Sequence, residues 1–242
     1  MNYLDLFHGI GGFALGAYWA GMKFENHYCS DIEPYTQELY KLRFPDSIQL
    51  GDITKIDTSK LPRGDWIITG GFPCQDISIA GKGEGIHGKR SGLWFEYWRI
   101  IRDLRPRFAI MENVGMLVHR GLREVLGSLA EIGYNAEWQD IRASDMGAPH
   151  KRERIWILAY PESLGRFQNK NEVRDSFKAI KNRGCLIDSI YASVSQKNAY
   201  SRDFRILNDL PTAMDRLRGL GNAIVHQIAE LLFNQIKRGL ND

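Results

Sequence analysis

The chain has 242 residues, of which 43% are hydrophobic and 25% are charged, and it has no run of roughly 18 apolar residues; these features are typical of a globular protein and exclude a membrane span. The formal net charge of +3 permits a nucleic-acid partner but does not require one. Because Cys29, Cys74 and Cys185 form no C-x-x-C pair and the first residues do not resemble a signal peptide, we expect a cytoplasmic protein with no disulfide framework, no metal and no membrane partner.

The first 160 residues predict strands that alternate with helices. The predicted strands are residues 2–7, 24–30, 66–70, 107–112, 135–143 and 154–160. One helix is predicted to begin near Gly12, and further helices are predicted at 34–44, 93–104 and 122–132. This order predicts parallel strands joined by crossover helices, and therefore a three-layer α/β sheet that binds its ligands at the carboxyl ends of the strands.

Residues 161–205 break this pattern, because they are polar, carry scattered aromatic side chains and are too short to form a core of their own. They contain nine Lys or Arg and five Asp or Glu, a net charge of +4 that leaves −1 for the rest of the chain. Residues 222–237 then return to a helical period. We therefore expect one domain, made of 1–160 and 206–242, with 161–205 as a small insert.

A glycine-rich turn follows the first predicted strand. In DLFHGIGGFALG, Gly9 and Gly11 permit a tight turn and the close approach of a ligand, and the helix that follows favours an anionic group at its N-terminus. The pattern differs from the dinucleotide fingerprint G-x-G-x-x-G, which weakens a nicotinamide interpretation. Asp31 stands at the end of the second strand, and Asp52 is predicted to end the next. Together these features indicate a nucleoside-bearing cofactor.

Cys74 lies in GGFPCQDIS, directly behind Pro73 and after the end of a predicted strand. A single cysteine is usually a small buried hydrophobe. Because this one follows a strand end and a proline fixes the backbone before it, it is also a candidate nucleophile. Residues 78–92 follow with five glycines and four basic or histidine side chains. A connection of this length and composition predicts a lid that closes over a polyanion.

Two further segments place charged groups at strand ends. Glu112, in MENV, is either a surface residue near a helix start or, if burial raises its pKa, a proton donor. Arg152 and Arg154, in GAPHKRER, are spaced by one residue at the start of a strand, so their side chains are predicted to point the same way. The sequence predicts that both arginines face one site.

The ordered series of DLFHGIGG, Asp31, GDITKI, GGFPCQDIS, MENV, GAPHKRER and LGNAI resembles the motif order of the DNA cytosine-5 methyltransferases, and the compact ending is similar to phage and prophage members. The resemblance covers almost all of the chain outside 161–205. It implies a Rossmann-like S-adenosylmethionine-dependent methyltransferase fold, with the insert as a short target-recognition region. The implied substrate is double-stranded DNA, and a monomer is expected.

The resemblance also implies residue roles. In catalysis, the matching positions are Cys74 as nucleophile, Glu112 as the acid at the base, and the paired Arg152 and Arg154. In cofactor binding, they are Phe7, Gly9, Gly11, Asp31, Ile32, Asp52, Ile53, Pro73, Asn222 and Ala223. Contacts to DNA are expected from Gln75, Ser78, Lys82, Lys89 and Arg90. The implied reaction moves a methyl group to carbon 5 of a flipped-out cytosine through a bond between Cys74 and C6, in a restriction–modification or phage protection system.

Three positions and the insert depart from the family. His8 stands where a small residue is usual, His150 stands where glutamine is common, and His226 stands where many relatives carry proline. The insert is shorter than the family's target-recognition region. A methyltransferase-fold protein that binds DNA with impaired or lost activity is therefore the alternative, although it would be expected to have lost Cys74 or Glu112 first. A nicotinamide oxidoreductase would leave both of those residues unexplained.

Overall fold

The computed structural model describes residues 1–73, 92–146, 151–164 and 224–241. These residues form a seven-stranded sheet with helices on both faces, which confirms the predicted three-layer α/β class. The strands are β1 (Asn2–Leu6), β2 (Asn26–Ser30), β3 (Ile48–Gln49), β4 (Trp66–Gly70), β5 (Phe108–Val114), β6 (Tyr134–Arg142) and β7 (Glu153–Pro161). Their order across the sheet is β3-β2-β1-β4-β5-β7-β6.

The first five strands are parallel, as predicted, but β7 is antiparallel to both of its neighbours. The prediction of an entirely parallel sheet is therefore wrong at this edge. Only ten residues, 143–152, separate β6 from β7, and their described part contains the 3₁₀ helix Ala143–Met146. A crossover between parallel strands needs about a dozen or more residues, so these two strands run antiparallel.

The helices are α1 (Gly12–Trp19), α2 (Pro34–Arg43), α3 (Leu93–Leu104), α4 (Leu117–Arg120), α5 (Leu122–Glu131) and α6 (His226–Asn241). In α3, Trp94, Tyr97 and Ile101 are fully buried, since steps of three and four residues bring them to one side of the helix. The predicted helix at 222–237 corresponds to α6, which begins four residues later and ends at Asn241. No helix in the described ranges is both long and apolar enough to cross a membrane.

Alternate residues of each strand pack into two hydrophobic cores, one on each face of the sheet. One core packs α1 and α6 over residues such as Tyr3, Ile110 and Trp156. The other packs α3 and α5 over residues such as Leu4 and Ile157. A strand residue therefore reaches one core or the other according to whether its number is odd or even along that strand.

Helices α1 and α6 cross closely because α1 has no side chain at Gly16. A Cβ atom there would lie 2.6 Å from the Ala229 Cβ and 2.7 Å from the His226 carbonyl oxygen. The same approach brings Ile224, just before α6, against the start of α1 at Gly12. The returning C-terminal segment is thereby placed beside the glycine-rich turn that follows β1.

Candidate active site

A cleft of about 680 Å³ lies at the carboxyl ends of the parallel strands. Its wall is formed by the turns after β1 and β2, the segments around Asp52 and Pro73, the end of β5 and the start of β7. This is the edge at which open α/β sheets bind ligands. Its volume lies within the roughly 300–1,000 Å³ that small-molecule sites occupy.

The turn between β1 and α1 needs an unusual backbone. Phe7, Gly9 and Gly11 have φ values of 50°, 51° and 83°, the left-handed region that favours glycine. Space near the chain is also limited, since a Cβ on Gly11 would lie 2.8 Å from the Phe44 ring. These glycines let the chain turn sharply beneath the cleft and present backbone groups to it.

Asp31 fastens this turn to the end of β2. One carboxylate oxygen, Oδ2, accepts the Gly9 amide at 2.9 Å, and the other, Oδ1, accepts the Glu33 amide at 3.0 Å. A carboxylate oxygen has more than one acceptor site, so both oxygens can still accept hydroxyl groups from a ligand in the cleft. Asp31 thus holds the turn and faces the ligand space at once.

Ile32 and Asp52 form the adjoining part of the wall. Ile32 leaves 65% of its surface exposed, an apolar area that a flat ring could cover. Asp52 lies beyond the two-residue strand β3 instead of ending it as predicted, because Gly51 turns the chain at φ 72°. Its Oδ1 accepts the amide and hydroxyl of Thr54, and these bonds lower the pKa of Asp52 below its usual value.

On the far side of the cleft, Glu112 and Arg154 form an ion pair. The Arg154 Nε donates to the Glu112 Oε1 at 3.0 Å. In the antiparallel register, Arg154 lies opposite Val114, so Glu112 is its diagonal neighbour on the same face of the sheet. Long side chains reach that far, and the pairing of β5 with β7 therefore produces the contact.

Burial raises the pKa of Glu112 above its usual value, while the positive charges of Arg154 and Arg152 act in the opposite direction. Burial and the neighbouring Arg154 lower the pKa of Arg152. Arg152 has a φ of 21° and lines the same cleft as Glu112. The result is a carboxyl group that is easier to protonate than one in water, next to two cationic side chains.

The segment that leads to Cys74 is fixed against β5. Asn113, which is buried, donates from its side-chain Nδ2 to the Phe72 carbonyl at 3.2 Å. The absent side chain of Gly71 leaves space for Glu112, since a Cβ there would lie 3.2 Å from Oε2. Cys74 itself follows Pro73 in the sequence and lies outside the described residues.

The structure brings one set of predicted residues to this cleft: Phe7, Gly9, Asp31, Ile32, Asp52, Ile53, Pro73, Glu112, Arg152 and Arg154. Gly11 supports the turn from behind, against Tyr40 and Phe44. The other predicted site residues lie outside the described ranges: Cys74, Gln75, Ser78, Lys82, Lys89, Arg90, Asn222 and Ala223. The departure at His150 and the predicted insert beyond Leu164 lie outside them as well.

Comparison with known families identifies the family of the chain. The model of the C-5 cytosine-specific DNA methylases matches residues 1–238. The chain belongs to this family. The resemblance read from the ordered motifs is thereby confirmed.

Curated relatives of this chain are Type II methyltransferases. M.BanI of Aneurinibacillus aneurinilyticus is 32% identical over 93% of this chain and 55% of its own length. M.HhaI of Haemophilus parahaemolyticus is 34% identical over 68% of this chain and 50% of its own. The chain therefore spans about half the length of these two relatives.

Solved structures of methyltransferases share the fold of this family member. A DNA modification methyltransferase encoded within an E. coli prophage is 26% identical, with a TM-score of 0.53 over 68% of this chain and 48% of the other. The S. pombe Dnmt2 methyltransferase is 20% identical, with a TM-score of 0.53 over 66% of this chain and 49% of the other.

Two residues of the cleft have no role predicted from the sequence. Asn113 was quoted within MENV, but only the folded chain shows that its side chain fixes the Phe72 carbonyl. His8 differs from the small residue that is usual in the family, and its ring bonds the Gly9 carbonyl in the turn between β1 and α1. Among the described residues, no group of three or more His, Cys, Asp or Glu side chains could hold a metal ion.

Proposed function

We propose that this protein transfers a methyl group from S-adenosylmethionine to carbon 5 of cytosine in double-stranded DNA. The observation that carries the proposal is the buried Glu112, paired with Arg154 at 3.0 Å and facing the cleft beside the segment that leads to Cys74. A carboxyl group whose pKa is raised by burial suits proton donation to a ring nitrogen. The family match over 1–238 supports the same reaction.

The residues at the β1–β3 end of the cleft fit S-adenosylmethionine. Asp31 keeps acceptor sites for two ribose hydroxyls, and the exposed side of Ile32 suits an adenine ring. Asp52 and Ile53 would border the ring edge, and Pro73, Asn222 and Ala223 are proposed to complete the site. When bound, this cofactor supplies a methyl group activated by a sulfonium centre.

Cysteine is the residue that makes carbon 5 reactive. We propose that the Cys74 thiolate adds to cytosine C6, which breaks the conjugation of the ring and gives C5 the character of an enamine carbon. Loss of the C5 proton and departure of the thiolate after methyl transfer restore the aromatic ring. A free thiol has a pKa near 8.5, so nearby positive charge is needed to favour the thiolate.

Glu112 would bind the cytosine edge during this addition. Addition of a thiolate to C6 places negative charge on the ring, and a protonated carboxyl at N3 disperses it. Arg154 holds Oε1 of Glu112 and leaves Oε2 beside Gly71, so the pair fixes which oxygen can face the base. Arg152 adds positive charge at the same mouth of the cleft.

The reaction requires a base that has left the duplex, because C6 is covered by stacking above and below. Unstacking costs a few kcal/mol, which contacts in the pocket must offset. We propose that Gln75, Ser78, Lys82, Lys89 and Arg90 contact the DNA, and that the basic insert 161–205 reads a short sequence. The named relatives are Type II methyltransferases, which supports a role as a modification methylase. We propose that it acts on DNA as a monomer in the cytoplasm.

Trapping on a modified base tests this proposal directly. The full chain is incubated with S-adenosylmethionine and duplex DNA containing 5-fluorocytosine, whose fluorine cannot leave as a proton does. A covalent protein–DNA band that withstands denaturation supports the proposal, and Cys74→Ser should abolish the band. The recognition sequence is found by methylating DNA with the wild-type protein and mapping 5-methylcytosine by sequencing.

The matched variant separates binding from chemistry. If wild-type protein and Cys74→Ser bind DNA equally and neither the band nor 5-methylcytosine forms, the enzyme proposal fails. The chain would then be a DNA-binding protein with a methyltransferase fold.

A further inference from the structure

His8 lies in the turn between β1 and α1, at a position where the family usually has a small residue. Only 3% of it is exposed, yet it lines the cleft, directly between Phe7 and Gly9. Its amide donates to the Ser30 carbonyl at 3.3 Å, and its ring packs against the Tyr40 ring at a tilt of 43°, with 4.1 Å between ring centroids. The side chain therefore fills the space beneath the turn and joins it to β2 and α2.

The two ring nitrogens have different partners. Nδ1 lies 2.8 Å from the Gly9 carbonyl oxygen, which can only accept, so Nδ1 must be the donor. Nε2 lies 2.8 Å from the Gln49 Nε2, an amide nitrogen that can only donate. Both bonds form only with a neutral ring that carries its proton on Nδ1.

These bonds fix Gly9 from both sides. The Gly9 carbonyl is held by His8, and the Gly9 amide is held by Asp31 at 2.9 Å. Since Asp31 uses the same carboxylate to face the cleft, the orientation of Gly9 and that of the carboxylate are linked. Gln49 extends the link to β3, so the imidazole connects the carboxyl ends of three strands.

We propose that His8 is a positioning residue for the cofactor: as a neutral imidazole it fixes Gly9, and through Gly9 it sets the orientation of the Asp31 carboxylate that receives the ribose. The inference rests on the proposed function, since it takes S-adenosylmethionine as the ligand of this cleft. It goes beyond that function because it gives a role to a side chain that the family's usual small residue does not supply.

The ring must stay neutral for this role. A proton on Nε2 would place an N–H group against the amino group of Gln49, and turning that amide over to offer its oxygen would withdraw Oε1 from the Gly51 amide, 3.5 Å away. The titratable groups that face His8 are Asp31, His27 and Tyr40. Burial lowers the pKa of His8, whereas Asp31 acts in the opposite direction. Cofactor affinity should therefore be constant near neutral pH and fall only as the pH drops below the usual histidine range.

Binding of S-adenosylhomocysteine to the full chain, measured by calorimetry, tests the inference without any turnover. His8→Ala removes both ring bonds and should weaken binding about tenfold, the effect of roughly one buried hydrogen bond. His8→Asn can still donate to the Gly9 carbonyl and should recover most of the affinity. In methylation assays the loss in His8→Ala should fall on the KM for S-adenosylmethionine and leave kcat within about twofold.

His27 provides the matched control. It is also buried, 6% exposed, and it bonds the Tyr40 hydroxyl at 2.7 Å, but it does not line the cleft. His27→Ala should lower thermal stability as His8→Ala does and leave the affinity within about twofold. If His27→Ala weakens binding as much as His8→Ala does, the loss of affinity comes from lower local stability, and the inference is wrong.

The pH dependence gives a second readout. Wild-type affinity should stay constant near neutral pH and fall only as the pH drops below the usual histidine range, and the fall should be smaller in His8→Asn. Parallel curves for the two proteins would overturn the inference. If wild-type protein fails to bind S-adenosylhomocysteine at all, the proposed function fails and the inference with it. If wild-type protein binds and His8→Ala binds equally well, only the inference fails.

Discussion

Two buried carboxyl groups lie on the same face of the sheet, Asp5 on β1 and Glu112 on β5, and their surroundings differ in kind. Asp5 is fully buried and surrounded by neutral donors: Thr69 at 2.8 Å, Tyr40 at 3.1 Å and the amide of Ala14. Glu112 has a cationic partner, Arg154, and one side open to the cleft. Burial raises the pKa of both groups.

A raised pKa alone therefore does not identify a reactive group. Around Asp5, the hydroxyls of Tyr3, Thr69 and Tyr40 continue through His27 to form a closed network that fixes α1 and α2 to the sheet. Around Glu112, the absence of a side chain at Gly71 keeps space next to Oε2. The first carboxyl group stabilises the scaffold, whereas the second can meet a substrate.

Replacing Glu112 should give the largest effect, because it removes the carboxyl group that faces the cleft. Glu112→Gln keeps the shape but cannot donate a proton from an acid, so the methylation rate should fall about 10³-fold. Its thermal stability should change little, because the substitution also removes a buried carboxyl group. Initial rates with labelled S-adenosylmethionine and thermal unfolding measure the two effects. Asp5→Asn is the control and should show the reverse, lower stability with a near-normal rate.

The two carboxyl groups also differ in how far the sequence alone could predict them. Glu112 was predicted as a proton donor on condition of burial, and Arg152 and Arg154 as side chains with a common direction, since a motif and the strand period carry that information. The ion pair itself depends on β7 lying beside β5 in an antiparallel register, which no local pattern specifies.

The contacts of Asp5 could not be predicted from the sequence. NYLDLF predicted a strand correctly, but the partners of its aspartate come from β4 and α2, 64 and 35 residues away. The same holds for His8 and Gln49, which are 41 residues apart and belong to different strand ends. Glycine turns and cofactor acids were predictable because each is a short motif at a strand end, whereas long-range polar pairs follow only from the order of the strands.

Removing the acceptor at Asp5 should destabilise the fold. Asp5→Leu leaves the Thr69 and Tyr40 hydroxyls and the Ala14 amide without their acceptor, and the free energy of unfolding should fall by about 3 kcal/mol. Urea unfolding at pH 7 measures this loss. A loss below about 1 kcal/mol would show that the network does not stabilise the fold.

Removing the cation beside Glu112 should convert it toward the situation of Asp5. Arg154→Met leaves the carboxylate buried without its partner at 3.0 Å, at a cost of about 2 kcal/mol at pH 8. The pKa of Glu112 should rise further, so the folded state keeps a proton that the unfolded state has lost. Stability should therefore be higher at pH 6 than at pH 8 in this variant.

The double variant Glu112→Gln/Arg154→Met is the control for that pH effect. It has no carboxyl group to titrate at the site, so its unfolding should show no extra difference between pH 6 and pH 8 relative to wild type. If Arg154→Met and the double variant respond to pH in the same way, Glu112 is not the group responsible.

The last expected effect is a change of slope with pH, and it concerns the Asp5 network alone. Burial raises the pKa of Asp5 to about 7, so the folded state holds a proton that the unfolded state loses near pH 3.8, and stability falls as the pH rises through this window. Burial lowers the pKa of His27 to about 4 from 6.5, so stability falls as the pH drops through that window. Between about pH 4 and pH 6.5 the two slopes oppose each other.

Asp5→Asn should remove one of these opposing slopes. The variant's stability should rise with pH more steeply than that of the wild type, by about 1.4 kcal/mol per pH unit for one proton. Urea unfolding of both proteins at half-unit steps from pH 4.5 to 6.5 measures the difference. His8, Glu112 and the exposed groups are common to both proteins and cancel in the comparison. Parallel curves would show that Asp5 is ionised in the folded protein, and its neutral donors would then be sufficient to hold a buried charge.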